Sequence, residues 1–394
     1  MRDAWAGFVQ DLWEQRPALI GSPLIEVLPR LPADDLYRAI VACAEDFCRR
    51  GRQKVRFYVE GSEIDLLGGG HQALLPALRD RSFEGYDRRI RATYPDYGLV
   101  IADWHQFDGG LWARIVTAVK PLLERVGISA ARMDTQMFLG TYKVTPFGVH
   151  IDATTAFHFP VVGTKTMRFW DADAVSRHAG LRGAQDYSRF LDGSVAITAR
   201  SGEALYWPSN RWHVGESDGS FAVTWGVGYW VGHDMRDLAM HKALRSLEAA
   251  VALPLTPPPP DDDLLAATEA SLREALASDG FREAFVRTWL EHHSALGFLR
   301  VPPPLEIIEL EPRTALRRRP AFAIHHARAT ATSSCIAAAG RSCVVPASPE
   351  LEQLVQALNT RGEVTLAELL GLAEPAIVHR VVEVALRSGA LVAD

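Results

Sequence analysis

Three side chains of this sequence have the types and the spacing to hold one metal ion. His150 and Asp152 are separated by a single residue, and His213 lies 63 residues after His150. Two imidazoles and one carboxylate are the set that holds non-haem Fe(II) on three adjacent positions and leaves the others open for substrate and O2. Of the 13 histidines, only His150 has an acidic residue two positions later. We therefore predict a metal site made of these three residues.

The residues around the ligands have the composition of β-strands. In a strand, side chains i and i+2 point to the same face, so the first two ligands can bind one metal. The segments 138–144 and 155–162 are rich in aromatic and β-branched residues and contain Gly and Pro at their turns. The apolar run 204–207 and a turn-like Pro-Ser-Asn would deliver His213 from a second strand end. A barrel with the metal at its mouth fits this arrangement.

A lysine lies between the ligands at a predicted turn. Lys165 follows Gly163 and begins an aromatic segment that ends at Trp170. Its ammonium could be the counter-ion for the distal carboxylate of a dicarboxylate cosubstrate. The alternative is an exposed turn lysine, which is the usual state of lysines.

The segment 138–230 resembles the JmjC-type cupin oxygenases, which depend on Fe(II) and 2-oxoglutarate. The matching elements are the His-x-Asp motif, the Gly-x-Lys segment 163–170, the stretch 202–213 that begins Gly-Glu-Ala-Leu-Tyr-Trp-Pro, and the closing strand 221–229. The resemblance implies that the three predicted ligands bind Fe(II), that Lys165 binds the 5-carboxylate of 2-oxoglutarate, and that O2 is the other reactant.

Two positions depart from the pattern of that family. Members often carry a polar residue six positions after the first ligand, where this chain has Ala156, and a Thr or Ser three positions before it, where this chain has Phe147. Both positions would line the cosubstrate pocket. The candidates for further contacts to 2-oxoglutarate are Tyr142, His158 and Thr224.

The resemblance also implies an α+β architecture. Its core would be a double-stranded β-helix (jelly-roll or cupin) with flanking helices, followed by a helical middle segment and a C-terminal winged helix like that of bacterial ribosomal-protein oxygenases. The predicted domains are, in chain order, an oxygenase domain over 1–253 with its barrel core at about 130–235, a linker and helical segment over 254–304, and a C-terminal domain over 305–394 with the winged helix at about 347–394. The Pro- and Asp-rich stretch 254–263 is typical of a linker, and the helical pattern of 264–299 leaves a homodimer open.

The composition of the 394 residues is that of an ordinary globular protein of two or three domains, with 48% hydrophobic and 23% charged residues. A net charge of −6 argues against a general nucleic-acid binder. No stretch approaches the roughly 18 apolar residues that span a bilayer. The N-terminal residues also lack the apolar segment of a secretory signal. We therefore expect a cytoplasmic protein with no membrane partner.

The four cysteines do not have metal-site or redox spacing. Cys43, Cys48, Cys335 and Cys343 are expected to be free thiols in a reducing compartment. A disulfide between Cys335 and Cys343 is the alternative.

A winged helix usually binds DNA or takes part in protein interaction and packing, and the charge of the last segment favours one of these roles. From Glu350 to Asp394 there are seven acidic and three basic residues. A helix that reads DNA gains from Lys and Arg against phosphates, so this balance favours protein interaction or packing. The basic cluster 317–319 could hold an acidic leader or substrate segment, with a solvated loop as the alternative.

These observations predict an Fe(II)- and 2-oxoglutarate-dependent oxygenase. Its substrate would be a carbon of an amino-acid side chain in a peptide or protein, either a ribosomal protein or a ribosomally synthesised natural-product precursor. A metal- or ligand-sensing cupin regulator acting through the winged helix is the alternative, and it would need a basic recognition helix that the sequence lacks. A third hypothesis, a non-oxidative metallo-cupin such as an isomerase, has no use for Lys165.

Overall fold

The structure is a computed structural model that describes residues 4–51, 54–68, 70–231, 262–307 and 309–393. The chain divides into two compact units, Met1–Gly232 and His233–Asp394. The predicted domain boundary at 253 and the linker residues 254–261 lie outside the described residues.

The first unit combines helices with antiparallel strands, as predicted. Its helices are α1 (Ala4–Asp11), α2 (Leu24–Val27), α3 (Ala33–Arg50), α4 (Phe83–Arg91), α5 (Gly109–Val126) and α6 (Ala172–Arg177). Short 3-10 helices are at His71–Leu74, Leu78–Asp80, Trp104–Phe107, Ala179–Leu181 and Ser188–Phe190. Its strands are β1 (Ala18–Ile20), β2 (Val55–Val59), β3 (Ser62–Ile64), β4 (Tyr97–Ala102), β5 (Arg132–Gly140), β6 (Thr154–Val162), β7 (Thr164–Trp170), β8 (Ser194–Arg200), β9 (Ala204–Trp207), β10 (Trp212–Glu216) and β11 (Ala222–Trp230).

Eight of these strands form one antiparallel sheet, in the order β1-β9-β6-β11-β5-β4-β2-β3. Strand β11 is paired along its length with β5 on one side and β6 on the other. Two glycines of β11 leave space for side chains of these neighbours. A Cβ on Gly226 would lie 2.4 Å from Cδ2 of His158, and a Cβ on Gly228 would lie 2.7 Å from Oδ1 of Asp134. The centre of the sheet can therefore hold polar side chains close to its backbone.

The other strands of the first unit form a three-stranded antiparallel sheet in the order β10-β7-β8. It packs against the larger sheet through an apolar cluster in which Ala156 and Trp207 meet Met167, Phe169 and Ala199. Burying a large apolar side chain of this kind contributes about 1.5–3 kcal/mol. This cluster fixes the distance between the two sheets next to the predicted site.

The described part of the second unit begins with two helices, α7 (Asp262–Ala277) and α8 (Asp279–Ser294). They agree with the helical pattern predicted for 264–299, except that α7 begins two residues earlier, in the predicted linker. The remaining elements are β12 (Ala315–Arg318), β13 (Ile324–Arg328), β14 (Ser333–Ala338), β15 (Arg341–Pro346), α9 (Glu350–Thr360), β16 (Val364–Thr365), α10 (Leu366–Leu370), α11 (Pro375–Arg387) and β17 (Leu391–Ala393). Strands β13-β14-β15 form one antiparallel sheet and β16-β12-β17 form another. Helix α8 packs on the first of them through Leu290, which contacts the cluster of Cys335 and Ala337.

Two alternatives left open by the sequence are resolved in this unit. Cys335 and Cys343 are buried free thiols, so the alternative disulfide is not formed. Arg317 and Arg318 belong to strand β12, so the solvated-loop interpretation of 317–319 is wrong for them. Nη1 of Arg318 donates to the carbonyl oxygen of Phe322 at 2.9 Å, which uses this guanidinium inside the fold. Among the described residues, no helix has the length and apolar character to cross a membrane.

Candidate metal centre

Two backbone hydrogen bonds join the segments that carry the predicted ligands. The backbone N–H of His150 donates to the carbonyl oxygen of His213 at 3.0 Å, and the N–H of His213 donates back to His150 at 2.8 Å. The two imidazoles therefore lie side by side, with ring centroids 4.3 Å apart. The N–H of Asn210 donates to the carbonyl oxygen of Asp152 at 3.1 Å. This bond joins the backbone of Asp152 to the segment that leads to His213.

Each imidazole has one nitrogen held by a backbone carbonyl. Nδ1 of His150 lies 2.8 Å from the carbonyl oxygen of Gly148, and Nδ1 of His213 lies 2.8 Å from that of Arg211. Because a carbonyl oxygen only accepts, both Nδ1 atoms carry the proton and both Nε2 atoms present a lone pair. The Nε2 atoms of His150 and His213 lie 3.5 Å and 4.0 Å from Oδ2 of Asp152.

Burial and mutual contacts set the protonation of the three side chains. Burial, together with nearby His150, lowers the pKa of His213 to about 4, so this imidazole is neutral at pH 7. Burial opposes ionisation of Asp152, but the neighbouring imidazoles of His150 and His213 together outweigh burial and keep the pKa of Asp152 below its usual value. Burial also lowers the pKa of His150, and the contact with Asp152 outweighs it, leaving that pKa raised. A neutral imidazole and an ionised carboxylate are the metal-binding forms.

The ligand atoms of His150, Asp152 and His213 all lie within 4.8 Å of one another, close enough to share one metal ion. No other group of three or more His, Cys, Asp or Glu side chains in the described part of the chain comes this close. The carbonyl contacts of the two Nδ1 atoms hold the rings in a fixed orientation, as is usual around bound metals. Two nitrogens and one oxygen on one side of a site suit a divalent first-row metal with open positions on the other side. The residues present therefore fit the predicted Fe(II).

A cavity of about 440 Å³ is lined by the three ligands and by Lys165. Lys165 is on β7 and only 2% exposed, so the alternative of an exposed turn lysine is wrong. Its Nζ lies 3.2 Å from the hydroxyl of Tyr142, and no carboxylate of the described residues forms an ion pair with it. Gly215 leaves room for this ammonium, since a Cβ there would lie 2.5 Å from Nζ. A buried ammonium without a counter-ion is costly and favours an anionic ligand.

The structure treats the three other predicted contacts differently. The hydroxyl of Tyr142 contacts the ammonium of Lys165, although Tyr142 is not among the residues that line the cavity. His158 lines the cavity at 4% exposure, and its Nδ1 has no hydrogen-bond partner among the described residues. Burial, and then the charge of Lys165, hold the pKa of His158 well below its usual value, so this imidazole is neutral. Thr224 is buried two residues before Gly226 on the same strand, but it is not among the residues that line the cavity.

Both positions at which the sequence departs from the family pattern line the cavity. The ring of Phe147 meets the imidazole of His150 edge to face, with centroids 5.7 Å apart. Ala156 contributes only a methyl group to the wall. At these two places the cavity therefore has an aromatic ring and a methyl group in place of hydroxyl or other polar groups.

Sequence reasoning missed a polar group on the cavity wall. Oδ2 of Asp134 accepts from the indole N–H of Trp230 at 2.8 Å and lies 3.4 Å from the guanidinium of Arg132. Oδ1 of Asp134 has no hydrogen-bond partner among the described residues, and neither has the hydroxyl of Thr154, which also lines the cavity. The available signal was an aspartate inside β5, a strand whose other residues are mostly buried.

The environment of Asp134 also disfavours the ionised form of its carboxyl group. Burial, reinforced by the charge of Asp103, raises the pKa of Asp134 to about 6. The guanidinium of Arg132 acts in the opposite direction without cancelling burial. A buried acceptor without a donor is destabilising by about 1–3 kcal/mol, and such groups are concentrated at functional sites.

Comparisons with known proteins identify solved structures of similar fold. No protein-family model matches the chain, and no curated protein matches it. The ribosomal oxygenase YcfD from Escherichia coli, in complex with cobalt and 2-oxoglutarate, aligns over 100% of this chain and 99% of its own, with 15% identity and a TM-score of 0.53. The structure of YcfD in complex with cobalt and succinic acid aligns over the same shares, with 14% identity and a TM-score of 0.54. At this identity the likeness concerns the fold, which extends over both units.

Removing a predicted ligand is expected to abolish tight metal binding. In Asp152→Ala or His213→Ala only two donors remain, so the affinity for Co(II) should fall by more than about 100-fold. Calorimetric titration of the metal-free protein with Co(II) measures this change. His178→Ala, which changes an exposed histidine outside the cavity, should bind Co(II) as the parent does. Unchanged affinity in both ligand variants would contradict the site.

Neutralising Asp134 is expected to stabilise the protein at alkaline pH. The pKa of Asp134 is about 6 in the folded protein and 3.8 ordinarily, so the folded state binds the proton more tightly. The resulting contribution to stability is complete below pH 3.8 and is lost as the pH rises through 6. The shift of about two units corresponds to about 3 kcal/mol. Urea unfolding of Asp134→Asn, without metal, should show a gain of that order at pH 8 and little gain at pH 4. A gain that does not depend on pH would refute this account.

Proposed function

We propose that this protein is an Fe(II)- and 2-oxoglutarate-dependent oxygenase that hydroxylates a carbon of an amino-acid side chain in a peptide or protein. The observation that carries the proposal is the combination, in one cavity, of the His150, Asp152 and His213 ligand set with the buried ammonium of Lys165, which has no acidic partner among the described residues. A metal-binding set explains the first feature. The ring faces of Phe138 and Tyr142 meet the ammonium, and an anionic ligand would supply the negative charge that they lack. A dicarboxylate that binds metal at one end and Lys165 at the other satisfies both.

The residues of the cavity have separate roles in this proposal. Fe(II) with 2-oxoglutarate and O2 supplies the oxidation of an unactivated C–H bond, and 2-oxoglutarate leaves as succinate and CO2. The Nδ1–H contacts of the two histidines keep their Nε2 atoms directed at the metal. Lys165 and the hydroxyl of Tyr142 bind the 5-carboxylate, and neutral His158 lies beside it as a hydrogen-bonding group. The ring of Phe147 and the methyl group of Ala156 would cover part of the site with apolar surface and so help to exclude water from the reacting atoms.

We also propose the finer architecture that the family resemblance implies. The eight-stranded and three-stranded sheets would be the two halves of a double-stranded β-helix within the domain 1–253. The segment 254–304 would be the linker and helical region, and 305–394 the C-terminal domain, with a winged helix formed by α9, α10, α11 and β17. Support comes from the antiparallel strand order, from the helix order over 350–393, and from the likeness to YcfD.

The substrate side chain in this proposal carries an N–H donor. Among the described residues, one carboxylate oxygen of Asp134 and the hydroxyl of Thr154 have no hydrogen-bond partner on the cavity wall, and Thr154 lies two residues after the predicted ligand Asp152. An arginine, histidine or asparagine side chain reaching the metal would donate to Asp134 and replace the missing hydrogen bond. YcfD is described as a ribosomal oxygenase, which supports a ribosomal protein as the substrate, beside a ribosomally synthesised precursor peptide.

Lys165 is expected to determine the affinity for the cosubstrate but not for the metal. Lys165→Ala removes the counter-ion of the 5-carboxylate, so binding of 2-oxoglutarate to the Co(II) form should weaken by about 10- to 100-fold, since a charge-assisted bond contributes about 1.5–3 kcal/mol. Co(II) affinity should remain unchanged, and calorimetry can measure both. Lys143→Ala, at an exposed position outside the cavity, is the matched control. If Lys165→Ala bound 2-oxoglutarate normally, the proposed role would be wrong.

The substrate role of Asp134 is separable from cosubstrate binding. Mass spectrometry of peptides from cells that express the protein, compared with cells that express Asp152→Ala, should reveal a substrate with one added oxygen atom. Asp134→Ala should lower kcat/KM for that peptide by about 10- to 100-fold through loss of the substrate hydrogen bond. Its affinity for 2-oxoglutarate should not change. Equal loss of both would mean that Asp134 supports the whole site rather than the substrate.

A further inference from the structure

A cleft of about 390 Å³ in the second unit gathers four arginines from three separate segments. Arg287 is on α8, Arg341 is the first residue of β15, and Arg380 and Arg387 are on α11. The last two are seven residues apart, which is two helical turns, so they share one face of α11. We call this feature the arginine cleft.

Two glutamates of the lining neutralise the arginine cleft only in part. Glu383 is shared, because Nη1 of Arg380 lies 3.1 Å and Nε of Arg387 lies 3.0 Å from its carboxylate oxygens. Glu291 lies 3.9 Å from the guanidinium of Arg287. Four guanidinium groups thus face two carboxylates among the residues of this lining. The excess is two positive charges.

Arg341 is the arginine of the cleft whose guanidinium is held by a backbone carbonyl, not by a carboxylate, among the described residues. Its Nη2 donates to the carbonyl oxygen of Pro302, and no ion pair with a carboxylate forms. The turn before it depends on Gly340, which has φ +77° and whose added Cβ would lie 2.6 Å from Val301. Burial lowers the pKa of Arg341; the negative charge of Glu291 opposes this shift, and the positive charge of Arg387 adds to it less strongly. The fold therefore holds this guanidinium partly buried, close to another arginine and without a carboxylate in direct contact.

The lining defines the chemistry of a ligand. The planar guanidinium fork matches carboxylate and phosphate oxygens, and it is less hydrated than an ammonium. The lining contains no aromatic or histidine side chain on which a base could stack. The surrounding segment, with its seven acidic and three basic residues from Glu350 to Asp394, would repel a polyanion. A compact pair of negative charges fits the cleft better than a nucleic-acid strand.

We propose that the arginine cleft binds an acidic peptide segment that presents two closely spaced negative charges, either two adjacent carboxylates or one phosphorylated side chain. This proposal does not depend on the oxygenase function, because it concerns binding by the second unit alone. The cleft would recognise a partner or substrate protein at a place other than the residue that is modified.

The test measures binding of three fluorescent peptides to the full-length protein by anisotropy at low salt. The peptides have one sequence and differ at its centre, which is Glu-Glu, phosphoserine-Gly or Gln-Gln. The Glu-Glu and phosphoserine peptides should bind more tightly than the Gln-Gln peptide. The tighter of the two charged peptides shows whether the cleft prefers carboxylates or a phosphate. In Arg341→Gln/Arg387→Gln, binding of both charged peptides should weaken by about tenfold or more. Arg282→Gln, on α8 but outside the cleft, should leave binding unchanged.

A variant with increased affinity separates a binding role from a structural one. Glu383→Gln removes the shared carboxylate, so the charged peptides should bind about three- to tenfold more tightly, an increase that unfolding cannot produce. Equal affinity for all three peptides, or no gain in Glu383→Gln, would overturn the proposal. So would an oligouridine that binds more tightly than either charged peptide and loses affinity in the double variant, since the cleft would then be a nucleic-acid site.

Discussion

The candidate site depends on one backbone interaction, the reciprocal hydrogen bonds between His150 and His213. These residues are 63 positions apart, and the bridge holds their imidazoles side by side with no side-chain contact needed to align them. The carbonyls of Gly148 and Arg211 then fix the tautomer of both rings. Because paired backbone already orients the two imidazoles, little conformational entropy is lost when a metal binds. This pre-organisation favours tight binding.

The same cavity contains polar groups that the fold leaves without partners. Lys165 forms no ion pair with an acidic side chain of the described chain, and Asp134 and His158 each have a buried atom without a hydrogen bond there. Each such group lowers stability, so its presence in a well-packed sheet indicates selection for ligand binding rather than for folding. The glycines of β10 and β11 belong to the same arrangement, because a side chain at Gly215 or Gly226 would occupy the space of Lys165 or His158.

Positive charge in the second unit shows how far a sequence cluster and a spatial cluster can differ. The consecutive arginines 317–319 are the most prominent basic group of the chain, yet Arg318 is used to hold carbonyl oxygens inside the fold. The arginine cleft takes its residues from positions 287, 341, 380 and 387, none adjacent to another. Two of these arginines, at 380 and 387, belong to the segment 350–394, whose overall balance is acidic. The acidic balance argues against DNA reading by that segment, and it conceals a local site of opposite sign.

The sequence by itself was enough to predict the three candidate ligands that the structure brings together, the lysine between them, and the mixture of helix and antiparallel sheet. Those predictions rest on local physics: alternation in a strand puts His150 and Asp152 on one face, and aromatic and β-branched runs form strands. Only the tertiary structure decided that Lys165 is buried without a counter-ion, that Thr224 lies outside the cavity lining, and that Asp134 has a free oxygen facing Gly228. Exposure, ion pairing and the meeting of distant arginines depend on which strands and helices become neighbours. Strand pairing sets those neighbours through contacts that no local pattern contains.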